Sequence, residues 1–227
     1  MTPIIRLNES HLEAVIALHH EVVREFPPEL VARETDAFFR DHMAACGQIF
    51  GAFRHDRLIA YGVLGLPRPG DPNFGRDHGL PDHELAGVAH IDGVAVRADQ
   101  RRLRWQHRMV QHRLQAAREA GRKIALSTVA PENYASVVNI LSAGLSIRNL
   151  ISKFGGKRFL LRRDLEDHSG TVTSSSDPSE MSTWCLCNDL ERCEELLEAG
   201  YVGVTYRKAS DDTVPEIGWR PAQFMQG

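Results

Sequence analysis

Arg101, Arg102 and Arg104 fall within one short polar turn, Val96-Arg97-Ala98-Asp99-Gln100-Arg101-Arg102-Leu103-Arg104-Trp105-Gln106. The turn follows a strand-like stretch at residues 89–96 and opens an amphipathic helical pattern over residues 103–120. A strand that delivers basic residues to a helix N-terminus suits phosphate. Free backbone N–H groups and the helix dipole face the anion, and arginine forks pair with its oxygens. The plainer alternative for these arginines is a solvated helix start. Just upstream, His90 and Asp92 stand two residues apart. Period-two alternation puts them on one strand face with Val94 and Val96. A histidine beside a carboxylate can relay a proton through water, and the carboxylate is expected to raise the imidazole pKa. Glu84, where a long loop enters the strand, is a third candidate base. The plainer alternative for His90 and Asp92 is a solvent-facing or hydrogen-bonded structural pair.

A second strand at residues 123–129 leads into Pro131-Glu132-Asn133, which opens a helix that stops near Gly144. There Asn133-x-x-Ser136 is followed by Leu141-x-x-Gly144-Leu145. The order continues to Lys153-Phe154-Gly155-Gly156 and a strand at residues 159–163. Taken together, the segment resembles the GNAT superfamily of N-acetyltransferases. That family's turn has a valine closing the strand, then x-Pro-acidic-aromatic-Arg-Gly-x-Gly-x-Gly/Ala. Val96, Asp99 and Arg101 fall in register with it. The three glycine positions hold Arg102, Arg104 and Gln106, a departure because glycine lets backbone approach a pyrophosphate closely. The helix resembles the family's Asn-x-x-Ala/Ser…Gly-Phe element, and the tyrosine often found seven residues after the asparagine is Ile140.

The resemblance implies an α/β (α+β) fold with a mixed, mostly antiparallel central sheet flanked by helices. It implies acetyl-CoA as co-substrate, without a metal, and an amine, small molecule or protein, as acceptor. By the same resemblance the backbone at Val94 and Val96 pairs with the pantetheine arm, and an N–H near Val94 faces the thioester oxygen. The backbone of Arg101, Arg102, Leu103, Arg104, Trp105 and Gln106 faces the pyrophosphate. Asn133 and Ser136 contact the pantetheine or adenine side, and Asn133 can also cap its helix. Trp105 either stacks on an adenine or turns into the core. No general acid is evident for the leaving thiolate, since Ile140 cannot donate a proton and Tyr134 points elsewhere. A second reading therefore stands beside the enzyme: a fold that binds CoA or regulates without turnover. A third, an unrelated nucleotide-binding domain, lacks a P-loop or dinucleotide fingerprint.

The elements that must position these residues are legible in outline. A short strand at 3–7 precedes a helix begun by Asn8-Glu9-Ser10 and carrying Leu12, Val15, Ile16, Leu18 and Val22, with Pro27-Pro28 breaking it. A second helix is expected at 35–46. Residues 48–54 and 57–65 form a hairpin around His55-Asp56. Residues 67–83, rich in Pro, Gly and Asp, are a long loop, either near the substrate end or a solvated insertion. By the resemblance residues 1–166 are expected to make a GNAT-like acetyl-CoA-binding domain, and 167–182 read as a Ser/Thr/Asp-rich linker. Residues 183–227 form a small α/β appendage with a strand at 184–187, a helix striped by Leu190, Cys193, Leu196 and Leu197, and a strand at 201–207. Too small to be stable alone, the appendage must pack on the main domain or on a second subunit, as in a homodimer.

Bulk properties bound the rest. The 227 residues can bury one substantial core with room for an appendage. A formal net charge of −3 gives no reason to expect nucleic-acid binding. No apolar run is long enough to span a bilayer, and the N-terminal stretch lacks a signal-peptide core, so a cytoplasmic location is expected. The four cysteines, Cys46, Cys185, Cys187 and Cys193, read as structural thiols rather than a zinc site, and no disulfide is expected.

Overall fold

The computed structural model describes residues 2–166, 181–208 and 213–222. The chain order is β1 (Ile5–Arg6), α1 (Leu12–Val23), α2 (Asp36–Ala44), β2 (Gly47–Arg54), β3 (Arg57–Gly65), β4 (Val88–Val96), α3 (Trp105–Glu119), β5 (Ile124–Val129), α4 (Tyr134–Ser142), β6 (Ser146–Lys153), β7 (Gly156–Asp164), β8 (Thr183–Leu186), α5 (Leu190–Glu198), β9 (Tyr201–Lys208) and β10 (Pro215–Pro221). The strands form one ten-stranded sheet in the order β1-β2-β3-β4-β5-β7-β6-β9-β10-β8. Among the described residues only β4 and β5 pair in parallel; the other pairs are antiparallel. The mixed, mostly antiparallel sheet flanked by helices is therefore as the sequence implied. The parallel pair needs a crossover, and α3 supplies it.

Helices cover both faces. On one, α1 and α2 bury Val15, Leu18, Val22 and Phe39 against Ile49, Tyr61 and Val63. On the other, α3 and α4 bury Trp105, Met109, Leu114, Val137 and Ile140 against Phe50, Leu64, Ile91 and Phe159. Local chemistry sets the ends. Asn8 accepts from the Ser10 N–H, Thr35 from the Phe38 N–H and Asn133 from the Ser136 N–H, each satisfying a helix-start donor. The β2–β3 turn puts His55 and Asp56 in the left-handed region, at φ 48° and 60°, which matches the twist of a tight hairpin.

The C-terminal elements continue the same sheet. Gly203 of β9 lies against Ile147 of β6, and a Cβ there would come within 3.2 Å of the Ile147 Cβ. Cys187, Cys193, Ile217 and Trp219 have no exposed surface and join the α3–α4 core. The expected linker falls, at residues 167–180, outside the described residues. Strands β6 and β10 were not among the sequence expectations. Each is short of alternation: β6 carries Arg148, Asn149 and Ser152, and β10 opens and closes on proline.

Candidate active site

Strands β4 and β5 pair from Val88 opposite Ile124 to His90 opposite Leu126, and then part. Just beyond, the Ser127 hydroxyl donates to the Ile91 carbonyl at 2.8 Å. Past that point the β5-facing edge of β4 has no strand partner among the described residues. A cavity of about 880 Å³ occupies the opening. Its wall includes Val94, Thr128, Gln106 and Ser136, and also Glu34, His42, Phe74, His90 and Asp92. Residues of the long loop, Pro67 through Asp77, border it too, which puts that loop at the cavity rather than out in solvent.

On its other edge β4 carries an irregularity. Gly62 of β3 faces Val94, and Leu64 faces Ile91, so Val63 stands opposite both Asp92 and Gly93. This two-against-one arrangement is a β-bulge. It overturns the expectation that His90, Asp92, Val94 and Val96 share a face. Upstream of the bulge His90 and Asp92 turn towards His42 of α2. Downstream, Val94 and Val96 pack against the α3–α4 core, and Ala95 takes the α1–α2 side. The extra residue inverts the alternation. The His90 and Asp92 side chains and the Val94 side chain thus border the cavity from different faces of one strand.

The chemistry of the pair also differs from the expectation. His90 is 6% exposed, and its Nε2 accepts from the Phe74 N–H at 3.1 Å. The Phe74 ring stacks on it at 4.1 Å between centroids. Burial, then the cationic tendencies of His42, Lys153 and Arg122, pushes the His90 pKa down to about 3. The aspartate does not raise it, because loss of water outweighs the neighbour. His90 is therefore neutral, with its proton on Nδ1, 3.8 Å from Asp92 Oδ2. His42 approaches the same oxygen at 3.9 Å through Nε2, while its Nδ1–H donates to the Phe38 carbonyl at 2.7 Å. Asp92 is pushed up to about 7, by burial first and by the charge of Glu34 second, with Arg113 opposing. Glu34 is itself raised by burial. Glu84 lies on a 3-10 turn at Asp82–Gly87, beside His83 and outside the cavity wall.

At the other end, α3 begins at Arg104 with no side-chain cap. Arg102 and Arg104 sit at φ 64° and 59°. These are two of the positions where the resembled family has glycine, and the backbone adopts the left-handed conformation glycine would take. The departure is in the side chains, not in the path of the chain. Arg102, Leu103 and Arg104 are exposed. Arg101 is not free: it pairs with Glu25 at 2.8 Å, lies over the Phe26 ring and donates to the Val96 carbonyl. Trp105 is 6% exposed, buried in the core under the Arg108 guanidinium. Gln106 bridges α3 to α4, donating to Ser136 Oγ at 2.9 Å and accepting from Asn139 at 3.1 Å. Asn133 caps α4 and also donates to the Leu30 carbonyl.

Glu34 was expected from the sequence among the charged residues of the pocket, though not as a neighbour of Asp92, and it does line the cavity. His42 and Arg113 were not among the sequence candidates. Arg113 left a signal, an arginine at a core-facing position in the stripe Met109-Val110-Leu114-Ala117. His42 left none in its spacing. Among the described residues no group of three or more His, Cys, Asp or Glu side chains could hold a metal. No helix among them is long and apolar enough to cross a membrane.

The sheet order and the parted β4–β5 pair define a mixed α/β fold flanked by helices, and comparison with known proteins gives the family. The model of the Acetyltransferase (GNAT) family matches residues 15–138, more than half of the chain, and the protein belongs to that family. No curated protein matches the sequence. Solved structures of similar fold include yncA from Salmonella typhimurium with its cofactor acetyl-CoA, at TM-score 0.57 and 13% identity, covering 74% of this chain and 96% of that one. The ribosomal-protein-S18-alanine N-acetyltransferase of Escherichia coli aligns at TM-score 0.52 and 15% identity, covering 73% and 94%. An N-acetyltransferase from Staphylococcus aureus Mu50 aligns at 0.57 and 14%, covering 73% and 99%. At these identities the likeness is one of fold.

Proposed function

We propose that the protein transfers an acetyl group from acetyl-CoA to an amine, with Asp92 as the general base. The observation that carries this reading is the placement of a carboxylate of pKa about 7 at the cavity formed where β4 and β5 part. The residues present suit the co-substrate. The unpaired edge of β4 offers backbone groups to a pantetheine amide. The uncapped start of α3, with Arg102 and Arg104 in glycine-like conformation and exposed, offers N–H groups and cations to a pyrophosphate. Gln106 and Ser136 border the space between.

Acetyl-CoA supplies an activated acyl carbon. The chain's residues do the rest. With acetyl-CoA bound, an N–H of the β4 backbone near Val94 would serve the thioester oxygen, where a fixed dipole stabilises developing charge. Asp92 takes the proton that the amine nitrogen releases as the C–N bond forms and the C–S bond breaks. A base with pKa near neutrality is partly ionised and still basic enough to accept that proton. His90, held by the Phe74 N–H at its only lone pair, orients Asp92 rather than acting as base. His42, whose Nε2 lone pair faces the Asp92 carboxyl, provides an exit for the proton. The departing thiolate is protonated through water, since Ile140 supplies no acid.

The competing reading is a CoA-binding module without turnover, favoured by Ile140 at the position where the family often has tyrosine. Calorimetry with CoA, followed by mass spectrometry of a primary-amine panel incubated with acetyl-CoA, separates them. Acetylated amine is the expected result; tight CoA binding with no acetylated product on any amine contradicts the proposal.

A further inference from the structure

Arg113 lies in the apolar stripe of α3 with no exposed surface. Burying a guanidinium is costly unless its donors are met. Its Nε and Nη1 donors go to backbone carbonyls, while Nη2 is buried with no hydrogen-bond partner among the described residues. Nη1 donates to the Asp92 carbonyl at 2.7 Å and to the Val63 carbonyl at 2.8 Å, and Nε to the Met109 carbonyl at 3.1 Å. Val63 is the β3 residue that stands opposite both bulge residues, and Asp92 is the first of those two. The guanidinium therefore bridges the two strands where the bulge interrupts their ladder. Gly62 runs alongside: a Cβ there would lie 3.0 Å from Arg113 Nε and 3.2 Å from Cζ. The strand has a residue without a side chain where the arginine passes.

We propose that Arg113 is the positioning residue of the reaction: it holds the β4 bulge so that the Asp92 carboxyl and the Val94 N–H meet the cavity together, and its charge keeps that carboxyl available as a base. This rests on the reading of Asp92 as the base. The groups around Asp92 are His90 on β4, His42 on α2, Glu34 ahead of α2 and Arg113 on α3. Three of the four are neutral histidines or an acid, so Arg113 is the member of the set that favours the carboxylate. Arg113 stands on α3, the helix whose N-terminus would face the pyrophosphate, and its bonds to the Asp92 and Val63 carbonyls tie that helix to the reacting strand.

The test compares Arg113→Met, Arg113→Lys and Gly62→Ala with wild type and Asp92→Asn. The measurements are CoA affinity, kcat and KM for an active amine, and the pH profile of kcat. Arg113→Met is expected to keep CoA affinity within about threefold and to lower kcat about 100-fold, since misplacement of this size is costly. Its acid limb should move up by about one pH unit, because loss of an opposite charge raises a carboxylate pKa. Arg113→Lys should return the limb towards wild type. Gly62→Ala keeps the charge but crowds the guanidinium, so kcat should fall about tenfold with the limb in place. It also serves if Arg113→Met does not fold. An Arg113→Met protein with only a lower Tm, or a Gly62→Ala protein with wild-type kcat, overturns the proposal. If Asp92→Asn leaves the limb where it was, the base assignment fails first, and this inference with it. If Asp92→Asn abolishes the limb and Arg113→Met does not shift it, Arg113 alone is misassigned.

Discussion

The protonation of Asp92 is set by competition between burial, which disfavours the carboxylate, and Arg113, which favours it, with burial the larger. The consequence is visible without a substrate. From its ordinary 3.8 up to about 7, folded Asp92 keeps a proton that the unfolded chain has lost. Its stabilising contribution is thus fully present below 3.8 and disappears as pH rises through about 7. Asp92→Asn should therefore unfold at a higher temperature than wild type at about pH 8 and show no such gain near pH 4. A thermal denaturation series across pH checks this, and equal Tm differences at both ends would contradict the assigned environment. The histidines work in the opposite sense. His19 and His78 are pushed down to about 4 and His90 to about 3, chiefly by burial. Each favours the folded state above 6.5, and that contribution is lost as pH falls from there, because only the unfolded chain takes up the proton. Tm should fall as the pH drops below about 6.5, and His90→Gln should flatten part of that slope. None of these directions was legible in the spacing of His90 and Asp92. The two-residue interval announced a pair, but its charge state depends on Phe74, which arrives from a loop sixteen residues upstream.

At the scale of elements, the turn between β4 and α3 shows how a motif can lose its residues and keep its shape. A non-glycine residue in the left-handed region costs on the order of 1 kcal/mol. Arg102→Gly and Arg104→Gly should each stabilise the fold by about 0.5–1 kcal/mol, less the entropy glycine adds to the unfolded chain. The double variant should keep the turn but bind CoA more weakly, for want of two cations. Arg102→Glu with Arg104→Glu should weaken CoA by at least about tenfold, as two attractive contacts become repulsive. Isothermal titration of the two double variants decides between backbone and side chain: equal loss in both would mean that charge plays no part. Val96, Asp99 and Arg101 made the turn recognisable in the sequence. The bulge in β4 was not recognisable, because His90-Ile91-Asp92-Gly93-Val94 alternates acceptably as a straight strand. It takes Gly62 on β3 and Arg113 on α3, both distant in sequence, to show where the alternation breaks.

Across the whole molecule, the sheet does not stop at β6. The C-terminal strands extend it, and Trp219, Cys185, Cys187 and Cys193 complete the core that α3 and α4 begin. The Trp219 indole donates to Cys185 Sγ at 3.1 Å, and Cys187 Sγ donates to the Pro131 carbonyl at the same distance, just ahead of α4. The described tail therefore meets its apolar partner within its own chain. We expect Trp219→Ala to cost roughly 3–5 kcal/mol, as for other fully buried aromatics. We also expect the full chain to unfold in one transition by circular dichroism and tryptophan fluorescence alike. Two separated transitions would mean that the tail folds apart from the rest. The sequence showed the tail's helix stripe and its need for a partner. It did not show which surface would serve, because Gly203 against Ile147 is a contact of shape that no periodicity encodes. The pH dependence of CoA release brings these scales together. With acetyl-CoA and an accepted primary amine, wild-type protein should release free thiol at a rate that climbs as pH rises through about 7, and Asp92→Asn should be slower by about 100-fold or more with that limb gone. Thiol release that does not depend on the amine, or an Asp92→Asn protein with the wild-type rate and limb, would contradict the account.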